Sequence, residues 1–323
     1  MNKVLVMGGS YFIGRRIVDK LYEKGYEVYV LNRGSRAIEN SDIHSIICDR
    51  NDKETMNHIL STYNFDIVVD VCGLNEDQAE ILCSSLDFDS VKKFVFISSS
   101  AVYDIEHLNI PFAEDDALGA DSFWQEYGTD KIEAERYYTE SLKNKDTELI
   151  ILRPPYVYGE NNYAQRESFI FDHIVKNQPI LIPKSNPKLQ FIYTSDLAEI
   201  IIEFISRQND KVSIYNVGNK TAVTVEQWIK HCFNVVQKST EIIKYDYKAA
   251  GRNVRDFFPF HDYDNVLDVR KIKSIVSSET DFYYGLKKAY VWYLKERENI
   301  KFKESVSENE RLILKEIRWN KNN

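Results

Sequence analysis

The chain begins with a stretch that decides its fold, Val4-Leu5-Val6-Met7-Gly8-Gly9-Ser10-Tyr11-Phe12-Ile13-Gly14. An apolar run leads into a glycine turn, and Ile13, Ile17 and Leu21 then fall on one face of a predicted helix. Strand, glycine turn and helix in this order are typical of a dinucleotide site, because the helix N-terminus faces the pyrophosphate. Gly8 makes the tight turn, and Gly14 allows close packing between helix and strand.

Tyr11 stands where the usual pattern has its middle glycine. That glycine normally lets the backbone approach the phosphates, so we expect the contact to shift toward Gly9 and Ser10. The predicted cofactor-binding residues of the turn are Gly8, Ser10, Tyr11, Phe12, Ile13 and Gly14. A glycine turn that binds no ligand is the alternative interpretation.

Further apolar runs alternate with amphipathic stretches through the first half of the chain. The predicted strands are 4–6, 28–31, 46–48, 67–69, 94–97 and 149–152, and the predicted helices lie near 53–62, 76–86 and 122–143. Continuously apolar strands belong to parallel sheets that are covered on both faces. The pattern predicts an α/β fold, a doubly wound parallel sheet (Rossmann) with a second, smaller, discontinuous substrate domain.

The alternation stops after Arg153-Pro154-Pro155 and returns at 191–205 and 214–218. We therefore predict an NAD(P)-binding Rossmann domain formed by residues 1–156 and 190–217. Residues 157–189 and 218–300 form a substrate-binding lobe in this interpretation. Residues 301–323 form a charged C-terminal tail, with one short helix near 308–317.

The composition limits the classes of partner. A net charge of -8 and a pI near 5.4 disfavour a general nucleic-acid binder but are compatible with a phosphorylated small molecule held by a few arginines. The four cysteines lack Cys-x-x-Cys and zinc-type spacing, which indicates core residues in a reducing compartment and no metal site. We see neither a signal peptide nor a membrane-spanning run and expect a cytoplasmic protein.

Residues at the end of the second strand bear on the choice of cofactor. An acidic residue there would bind the adenosine ribose and repel a 2′-phosphate, but this chain has Asn32-Arg33. Arg33, with Arg15 or Arg16, is suited to pair with that phosphate. The pair favours NADP and leaves NAD open, and exposed arginines without a ligand are the alternative.

The next two strand ends extend the predicted cofactor site. Asp49-Arg50 ends the third strand, where a carboxylate reaches the adenine amino group. Cys72-Gly73 ends the fourth, where small residues let the cofactor pass.

A possible catalytic set lies further along, in Tyr127-Gly-Thr-Asp-Lys131 after the cluster Ser98-Ser99-Ser100. A phenol with a pKa near 10 is a poor acid or base at neutral pH. A lysine one helical turn away stabilises the phenolate and lowers that pKa. A serine at a strand end then holds the substrate oxygen, and the set suits proton transfer coupled to hydride transfer. Tyr-x-x-x-Lys alone is more often a solvated helix face, so its order and context carry the interpretation.

Taken together, the chain resembles the extended short-chain dehydrogenase/reductase family, the nucleotide-sugar epimerases and dehydratases, over about residues 1–295. The motifs that carry the resemblance are 8–14, the Asp49 turn, 98–103, Tyr127-x-x-x-Lys131, 153–159 and 191–198. The glycine turn and the strand end 70–73 are closer to an atypical branch that includes plastid stem-loop RNA-binding proteins. That branch shares a Phe-Pro-Phe segment similar to residues 258–260.

The resemblance implies roles for individual residues. Tyr127 is the acid/base, and Lys131 lowers its pKa and binds the nicotinamide ribose. Ser99 donates to the substrate oxygen, with Ser98 and Ser100 as alternatives. Tyr156 and Val157 lie near the nicotinamide. Dehydratases of the family carry an acidic pair that this chain replaces with 100–101, which disfavours dehydration.

The leading hypothesis is an NAD(P)-dependent epimerase or oxidoreductase acting on a small molecule, with a nucleotide sugar as the favoured substrate. An NADPH-dependent carbonyl reductase of a biosynthetic pathway is the alternative within the class. An RNA-binding or regulatory protein on the same fold is the alternative outside it, opposed by the acidic pI and by His261 where that branch carries arginine. Arg166, Arg252 and Arg255 are candidates for gripping a diphosphate.

The resemblance also implies a homodimer, through the helix around Ile81-Leu82 and the one carrying Lys131. That second helix has one side committed to catalysis, so its apolar residues between Ile132 and Tyr138 need another covering surface. Packing of Tyr137 and Tyr138 on the chain's own sheet is the monomeric alternative.

Overall fold

A computed structural model describes residues 2–322, with side chains described as far as Trp319. The strands are β1 (Lys3–Met7), β2 (Glu27–Asn32), β3 (His44–Ile47), β4 (Ile67–Asp70), β5 (Lys93–Ile97), β6 (Glu148–Arg153), β7 (Tyr156–Tyr158), β8 (Ile180–Pro183), β9 (Lys188–Leu189), β10 (Phe191–Tyr193), β11 (Val212–Asn216), β12 (Val223–Thr224) and β13 (Ile242–Tyr245). The helices are α1 (Phe12–Glu23), α2 (Lys53–Leu60), α3 (Glu76–Ser85), α4 (Glu126–Leu142), α5 (Arg166–Lys176), α6 (Thr194–Ser206), α7 (Val225–Val236), α8 (Arg270–Lys273), α9 (Phe282–Glu296) and α10 (Glu304–Asn322).

Seven strands form the main sheet, in the order β11-β6-β5-β4-β1-β2-β3, and the pairs are parallel. The order reverses at β1, which pairs with β2 on one side and β4 on the other, with Val4 opposite both Val28 and Ile67. The doubly wound fold predicted from the sequence is therefore confirmed. Ligands of such sheets bind beyond the carboxyl ends of the strands at this reversal.

The central strands are buried on both faces, which explains their unbroken apolar sequences. Val4, Leu5 and Val6 have no exposed surface, and neither do Val68 and Val95. Complete burial leaves no polar face for the strands, so they lack the alternation of a half-exposed sheet.

Two compact units make up the chain. The first comprises Met1–Val157, Phe191–Lys220 and Val266–Glu279, and the second comprises Tyr158–Gln190, Thr221–Asn265 and Thr280–Asn323. The first contains the main sheet. The second contains the pairs β8/β13 and β9/β12 with helices α5, α7, α9 and α10.

These bounds differ from the predicted division at residues 266–279, which we expected in the substrate lobe. The backbone N–H of Asp268 donates to the Phe112 carbonyl at 2.8 Å, and Lys271 Nζ donates to the carbonyl of Ile214 in β11 at 2.8 Å. These contacts join residues 266–279 to the first unit, and no motif within that segment predicts them.

The C-terminal tail also differs from its prediction. The expected short helix is the longer α10, which belongs to the second unit and buries Glu310 and Ile313. Within the second unit, Glu310 Oε1 lies 2.9 Å from Nε2 of His173 on α5. This contact was not predicted from the sequence, because most residues of α10 are polar or charged and exposed.

Helix α4 packs Tyr138 against the sheet, whereas the homodimer prediction assumed that the apolar residues between Ile132 and Tyr138 need another covering surface. Tyr138 is wholly buried against Phe94 and Phe96, with ring centroids at 4.7 and 4.9 Å. Arg136 is exposed, and its guanidinium pairs with Glu76 of α3 at 3.0 Å. The covering surface for Tyr138 is thus the chain's own sheet.

Candidate active site and cofactor site

The glycine turn has the geometry expected of a close backbone approach. Gly8 has a φ of +86°, and its N–H donates to the Leu31 carbonyl at 3.0 Å. A Cβ at Gly14 would lie 2.1 Å from the Gly8 carbonyl oxygen, so only glycine fits there. The turn between β1 and α1 therefore depends on both glycines that the sequence pattern singled out.

The residues that replace the middle glycine form the start of α1. Tyr11 is the extended N-cap residue without a side-chain capping bond, and Phe12 has a positive φ of 45°. The Arg36 guanidinium lies 3.6 Å from the centroid of the Tyr11 ring. The first turn of α1 carries no acidic residue, which leaves the positive end of the helix dipole open to an anion.

Asn32 lies half-buried at the end of β2. Its Oδ1 accepts from the Gly34 N–H at 2.7 Å, whereas its buried Nδ2 has no acceptor within the described part of the chain. A buried amide donor without a partner is unfavourable unless a ligand supplies the acceptor. A ribose oxygen of a dinucleotide is one such acceptor.

The three arginines predicted to bind a 2′-phosphate lie in different environments. Arg33 is exposed beside Asn32. Arg15 pairs with Glu39 at 2.8 Å, and Arg16 donates to the Ser195 hydroxyl at 3.0 and 3.2 Å. Arg16 is therefore engaged with α6, and Arg33 is the better-placed of the three.

At the end of β3, the Asp49 side chain is exposed whereas the Arg50 side chain is buried. Asp49 is exposed, and its Oδ1 accepts from the N–H and side-chain amide of Asn51 at 2.9 and 3.0 Å. Arg50 is buried and donates to both carboxylate oxygens of Asp70, at 2.9 and 3.1 Å. Arg50 Nη1 also lies 3.0 Å from Cys72 Sγ, so the Arg50 side chain contacts two residues at the carboxyl end of β4, Asp70 and Cys72.

Asp70 at the end of β4 is the centre of a buried network that the sequence did not reveal. Besides Arg50, its carboxylate accepts from the Tyr138 hydroxyl at 2.6 Å and from the Gly73 N–H at 2.8 Å. Burial alone would raise the pKa of Asp70, but the Arg50 charge and these bonds hold it below the ordinary value. A Cβ at Gly73 would lie 2.2 Å from Asp70 Oδ2, so the strand end requires glycine.

Lys131 lies buried on α4 and is held by backbone oxygens. Its ammonium donates to the carbonyls of Gly73 at 2.6 Å and Ile97 at 2.7 Å, the ends of two neighbouring strands. An ammonium has three N–H groups, so these bonds leave one for a ligand. Burial, opposed by the charge of Asp70, lowers the pKa of Lys131 to about 8.

Tyr127 lies in the first turn of α4, and 38% of its surface is exposed. A Cβ at the neighbouring Gly128 would lie 2.6 Å from the Ala101 carbonyl oxygen. This close approach holds the first turn of α4 against the 3-10 turn 100–102 that follows the serine cluster. The Tyr127 ring lies 5.6 Å from Trp124, which in turn lies 6.2 Å from Tyr156.

The three serines have different environments. Ser98 is buried, and its hydroxyl donates to Glu135 Oε1 at 2.5 Å. Ser100 is also buried, with its N–H bonded to the Pro154 carbonyl. Ser99 is half-buried, and its hydroxyl oxygen accepts from the Ala101 N–H at 3.1 Å, which leaves its hydroxyl hydrogen available. Of the three, Ser99 is best placed to donate to a substrate oxygen.

Glu135 is the site residue that sequence reasoning missed. It lies one turn after Lys131 on the buried side of α4 and forms two bonds to the Arg153 guanidinium, at 2.9 and 2.6 Å. Arg153 also donates to the Tyr103 hydroxyl at 3.1 Å. The available signal was an acid four residues after a buried lysine, with an arginine ending the following strand.

Tyr156 and Val157, predicted near the nicotinamide, are both nearly inaccessible in β7. The Tyr156 ring lies 6.0 Å from that of Phe191 in β10. The two residues are buried where β6 leads into β7, and there they would line one side of the predicted site.

The residues of the first unit fit a dinucleotide. Gly8 and Gly14 leave backbone room beside the α1 N-terminus, Asn32 offers a buried amide donor, and Lys131 has one N–H available. Across the described residues, no cluster of three or more His, Cys, Asp or Glu could hold a metal ion. None of the described helices has the length and hydropathy needed to cross a membrane.

In the second unit, two arginines lie close to His261. Burial, with the nearby charges of Arg255 and Arg166, lowers the pKa of His261 to about 4. Arg252 instead pairs with Glu316 of α10 at 2.6 Å. The neighbouring Phe258 and Phe260 are buried against each other, so the Phe-Pro-Phe segment contributes to the core.

The four cysteines are free thiols. Cys48 and Cys232 are buried as expected, but Cys83 is only half-buried and Cys72 is exposed at the β4 end. Cys72 follows the carboxyl end of β4, at the carboxyl edge of the sheet.

Comparison with known proteins identifies the class. The sequence profile of the NAD dependent epimerase/dehydratase family matches residues 4–218. The chain belongs to this family. It is an NAD(P)-dependent enzyme of the extended short-chain dehydrogenase/reductase type, as the resemblance predicted.

The relatives include a stem-loop binding protein as well as epimerases. The chain is 26% identical over 307 residues to chloroplast stem-loop binding protein of 41 kDa b from Arabidopsis thaliana, covering 90% of this chain and 78% of that protein. It is 27% identical over 319 residues to a putative UDP-glucose 4-epimerase of Methanocaldococcus jannaschii, covering 90% and 97%. The fold matches a crystal structure of UDP-glucose 4-epimerase with UDP-glucose from Thermotoga maritima, with a TM-score of 0.75, 21% identity and coverage of 91% and 99%.

Proposed function

We propose that this protein transfers a hydride between NAD(P) and a hydroxyl- or carbonyl-bearing carbon of a nucleotide sugar, with epimerisation as the favoured outcome. The observation that carries the proposal is the arrangement of Ser99, Tyr127 and Lys131 around the ends of β4 and β5. Lys131 is fixed by two strand-end carbonyls, and Gly128 holds the Tyr127 turn against residues 100–102.

In this proposal Tyr127 moves the proton of the reacting hydroxyl. The charge on Lys131 stabilises its phenolate, and the Ser99 hydroxyl donates to the same substrate oxygen. When bound, the nicotinamide supplies or accepts the hydride. Glu135 and Arg153 act as positioning residues, since their ion pair fixes Ser98 and therefore the serine strand end.

The nucleotide-sugar assignment draws on two supports. The Methanocaldococcus relative is named a putative UDP-glucose 4-epimerase, and the Thermotoga structure is of a UDP-glucose 4-epimerase with UDP-glucose. The charges of Arg166 and Arg255 next to His261 are suited to a diphosphate.

The first experiment asks which cofactor the protein retains. Purified protein is incubated separately with NAD+ and NADP+, desalted and denatured, and the extract is analysed for dinucleotide. We expect at least one dinucleotide in stoichiometric amount from the parent. No retention of either, together with no binding by calorimetry, would contradict the proposal.

A second candidate function is RNA binding, favoured by the similarity to the stem-loop binding protein of Arabidopsis. The net charge of -8 opposes it, because phosphate contacts dominate RNA affinity. Burial of Phe258 and Phe260 also removes those rings from base stacking. A stem-loop RNA titrated at several salt concentrations distinguishes the two, since an RNA-binding protein would bind it with an affinity that falls as salt rises, whereas the enzyme should not bind it.

The preference for NADP is a separate prediction that rests on Asn32 and Arg33. Asn32→Asp with Arg33→Ala keeps the acceptor for the Gly34 N–H but removes one cation and adds a repelling charge. A charge-assisted hydrogen bond contributes about 1.5–3 kcal/mol, so NADP binding should weaken more than about tenfold. NAD binding should hold or improve, as calorimetry would show.

Lys24→Ala is the matched control, because Lys24 is exposed at the opposite end of α1. Equal losses of NAD and NADP affinity in the double variant would show that the pair is structural.

Lys131→Met should weaken cofactor binding by about tenfold, because it removes a charge-assisted contact. The limb of the rate that requires ionised Tyr127 should also move to higher pH. The Lys131 pKa is lowered to about 8, so the parent should lose cofactor affinity as pH rises through that value. The affinity of the variant should stay flat over the same range.

Lys143→Met, at an exposed position at the end of α4, is the control for that series. If cofactor affinity depends on pH in Lys131→Met as it does in the parent, Lys131 has only a structural role.

We also propose a homodimer in which α3 and α4 pair with their copies across a two-fold axis. Ile81 and Tyr137 are half-buried and pack in part against the chain's own core, so the apolar contact would come from half-buried Ile132 and from the surface that these two leave exposed. Light scattering at micromolar concentration should report about twice the chain mass of 37.9 kDa. A mass of one chain would exclude a stable dimer.

A further inference from the structure

A large cavity in the second unit lies between α5, the segment around Phe258 and the C-terminal residues from Lys301 onward. Its volume is about 1100 Å³, which is sufficient for a small organic ligand. Every residue that lines it belongs to the second unit, whereas Ser99, Tyr127 and Lys131 belong to the first. Apart from Arg255, which is also a candidate contact for the substrate diphosphate, the cavity is built from residues that the proposed reaction does not use.

The lining is cationic in a chain whose net charge is negative. Seven of its side chains are basic, namely Lys176, Arg255, Lys301, Lys303, Arg311, Lys315 and Arg318, and two are acidic. Both acids are already engaged. Asp172 pairs with Lys176 at 2.8 Å, and Glu310 pairs with His173 at 2.9 Å.

Five of the basic side chains lie on the C-terminal segment. Throughout the part of the chain whose side chains are described, no carboxylate lies within ion-pair distance of Lys301, Lys303, Arg311, Lys315 or Arg318. On α10, residues 311, 315 and 318 follow helical spacing, so their side chains share the face that lines the cavity. Such an accumulation of like charge gives the cavity a positive potential that attracts an anion.

The interior side of the cavity is apolar. Phe169 and Phe258 are buried, and Leu314 and Val306 of α10 are half-buried among the lining residues. A ligand that satisfies both surfaces has an apolar or aromatic body and an anionic head.

The wall formed by α10 is anchored independently of these cations. Glu310 contacts His173 of α5, Ile313 is wholly buried, and Glu316 pairs with Arg252 at 2.6 Å. The basic face can therefore be altered without removing the contacts that hold the helix.

We propose that this cavity is a binding site for a small amphipathic anion, an apolar or aromatic body that carries a phosphate. The phosphate contacts the cations of α10 and the 301–303 segment, and the body packs against Phe169, Phe258 and Leu314. A nucleotide and an alkyl phosphate share this chemistry.

The test uses 8-anilinonaphthalene-1-sulfonate as a fluorescent aromatic anion, titrated into the full chain saturated with NAD+. Arg311→Glu with Lys315→Glu should weaken the dissociation constant at least about tenfold, since two charge-assisted contacts are reversed. Lys288→Glu with Lys295→Glu on α9 reverses the same number of exposed charges outside the cavity and should leave it within about twofold. Equal effects of the two pairs would overturn the proposal.

A second variant covers the case in which the α10 substitutions disturb the helix, as judged by circular dichroism. Lys301→Glu with Lys303→Glu precedes α10 and should produce a loss of similar size. An unchanged dissociation constant in that folded variant would overturn the proposal.

Competition then identifies the source of the anion. Octyl phosphate or uridine 5′-monophosphate should displace the probe, and whichever does so at lower concentration identifies the class of body. Displacement by inorganic pyrophosphate with equal potency would overturn the proposal, since it would show that charge alone governs binding. Retention of a stem-loop RNA that is lost in the Arg311/Lys315 variant would overturn it in favour of a polynucleotide surface.

Discussion

Replacing Tyr127 with phenylalanine is expected to reduce kcat about 10²- to 10⁴-fold while leaving cofactor affinity nearly unchanged. The substitution removes only the hydroxyl that transfers the proton. The ring remains to pack near Trp124, 5.6 Å away between centroids. Steady-state kinetics and calorimetric titration of the cofactor measure the two quantities separately.

Tyr163→Phe is the matched control, because this tyrosine is 70% exposed and lies in the second unit. It should retain the parental kcat. Retention of most of the activity in Tyr127→Phe would remove Tyr127 from the proposed mechanism, whatever the control shows.

The second large effect concerns stability. Asp70→Asn should lower the free energy of unfolding by about 3–5 kcal/mol, because it leaves the Arg50 guanidinium buried without its anionic partner. The Asp70 pKa in the folded protein is held below its ordinary value. Its contribution is therefore present above the unfolded-state pKa and is lost as pH falls through the folded-state value. Denaturant unfolding of the variant should show a weaker dependence on acidification than the parent.

Two companion variants separate the ion pair from the rest of the network. Tyr138→Phe removes only the hydroxyl that donates to Asp70 at 2.6 Å, and should cost about 1.5–3 kcal/mol. Arg50→Met added to Asp70→Asn should recover part of the loss, since no unpaired charge then remains. Strictly additive losses in that double variant would show that Arg50 and Asp70 do not form a coupled pair.

The sheet was predictable because its signals are local. An apolar strand followed by Gly8 and Gly14 specifies a strand-turn-helix, and each buried parallel strand repeats an unbroken apolar run. Residues 266–279 were not predictable, because their assignment depends on a backbone bond to Phe112 and on a bond from the Lys271 ammonium to the Ile214 carbonyl. The C-terminal helix was underestimated because its anchors, Glu310 and Ile313, are isolated among exposed charges.

The sequence indicated the candidate reacting residues more completely than the residues that support them. Ser99, Tyr127 and Lys131 stand in motifs whose spacing can be read along the chain. Their supports pair residues far apart in sequence, such as Arg50 with Asp70, and Glu135 with Arg153. Arg50 illustrates the difference, since its strand-end position indicated a cofactor contact while its guanidinium is bonded to a buried carboxylate.

The central claim is that Ser99, Tyr127 and Lys131 act on a nucleotide sugar beside a bound nicotinamide. Proton NMR tests it most directly: NAD+-loaded parent and Tyr127→Phe are each incubated with a panel of UDP- and dTDP-hexoses. We expect the parent to convert at least one of these sugars to a stereoisomer or a keto sugar, and the variant to do so at least about 10²-fold more slowly. Parental conversion by Tyr127→Phe, or unchanged spectra of every sugar with the loaded parent, would contradict it.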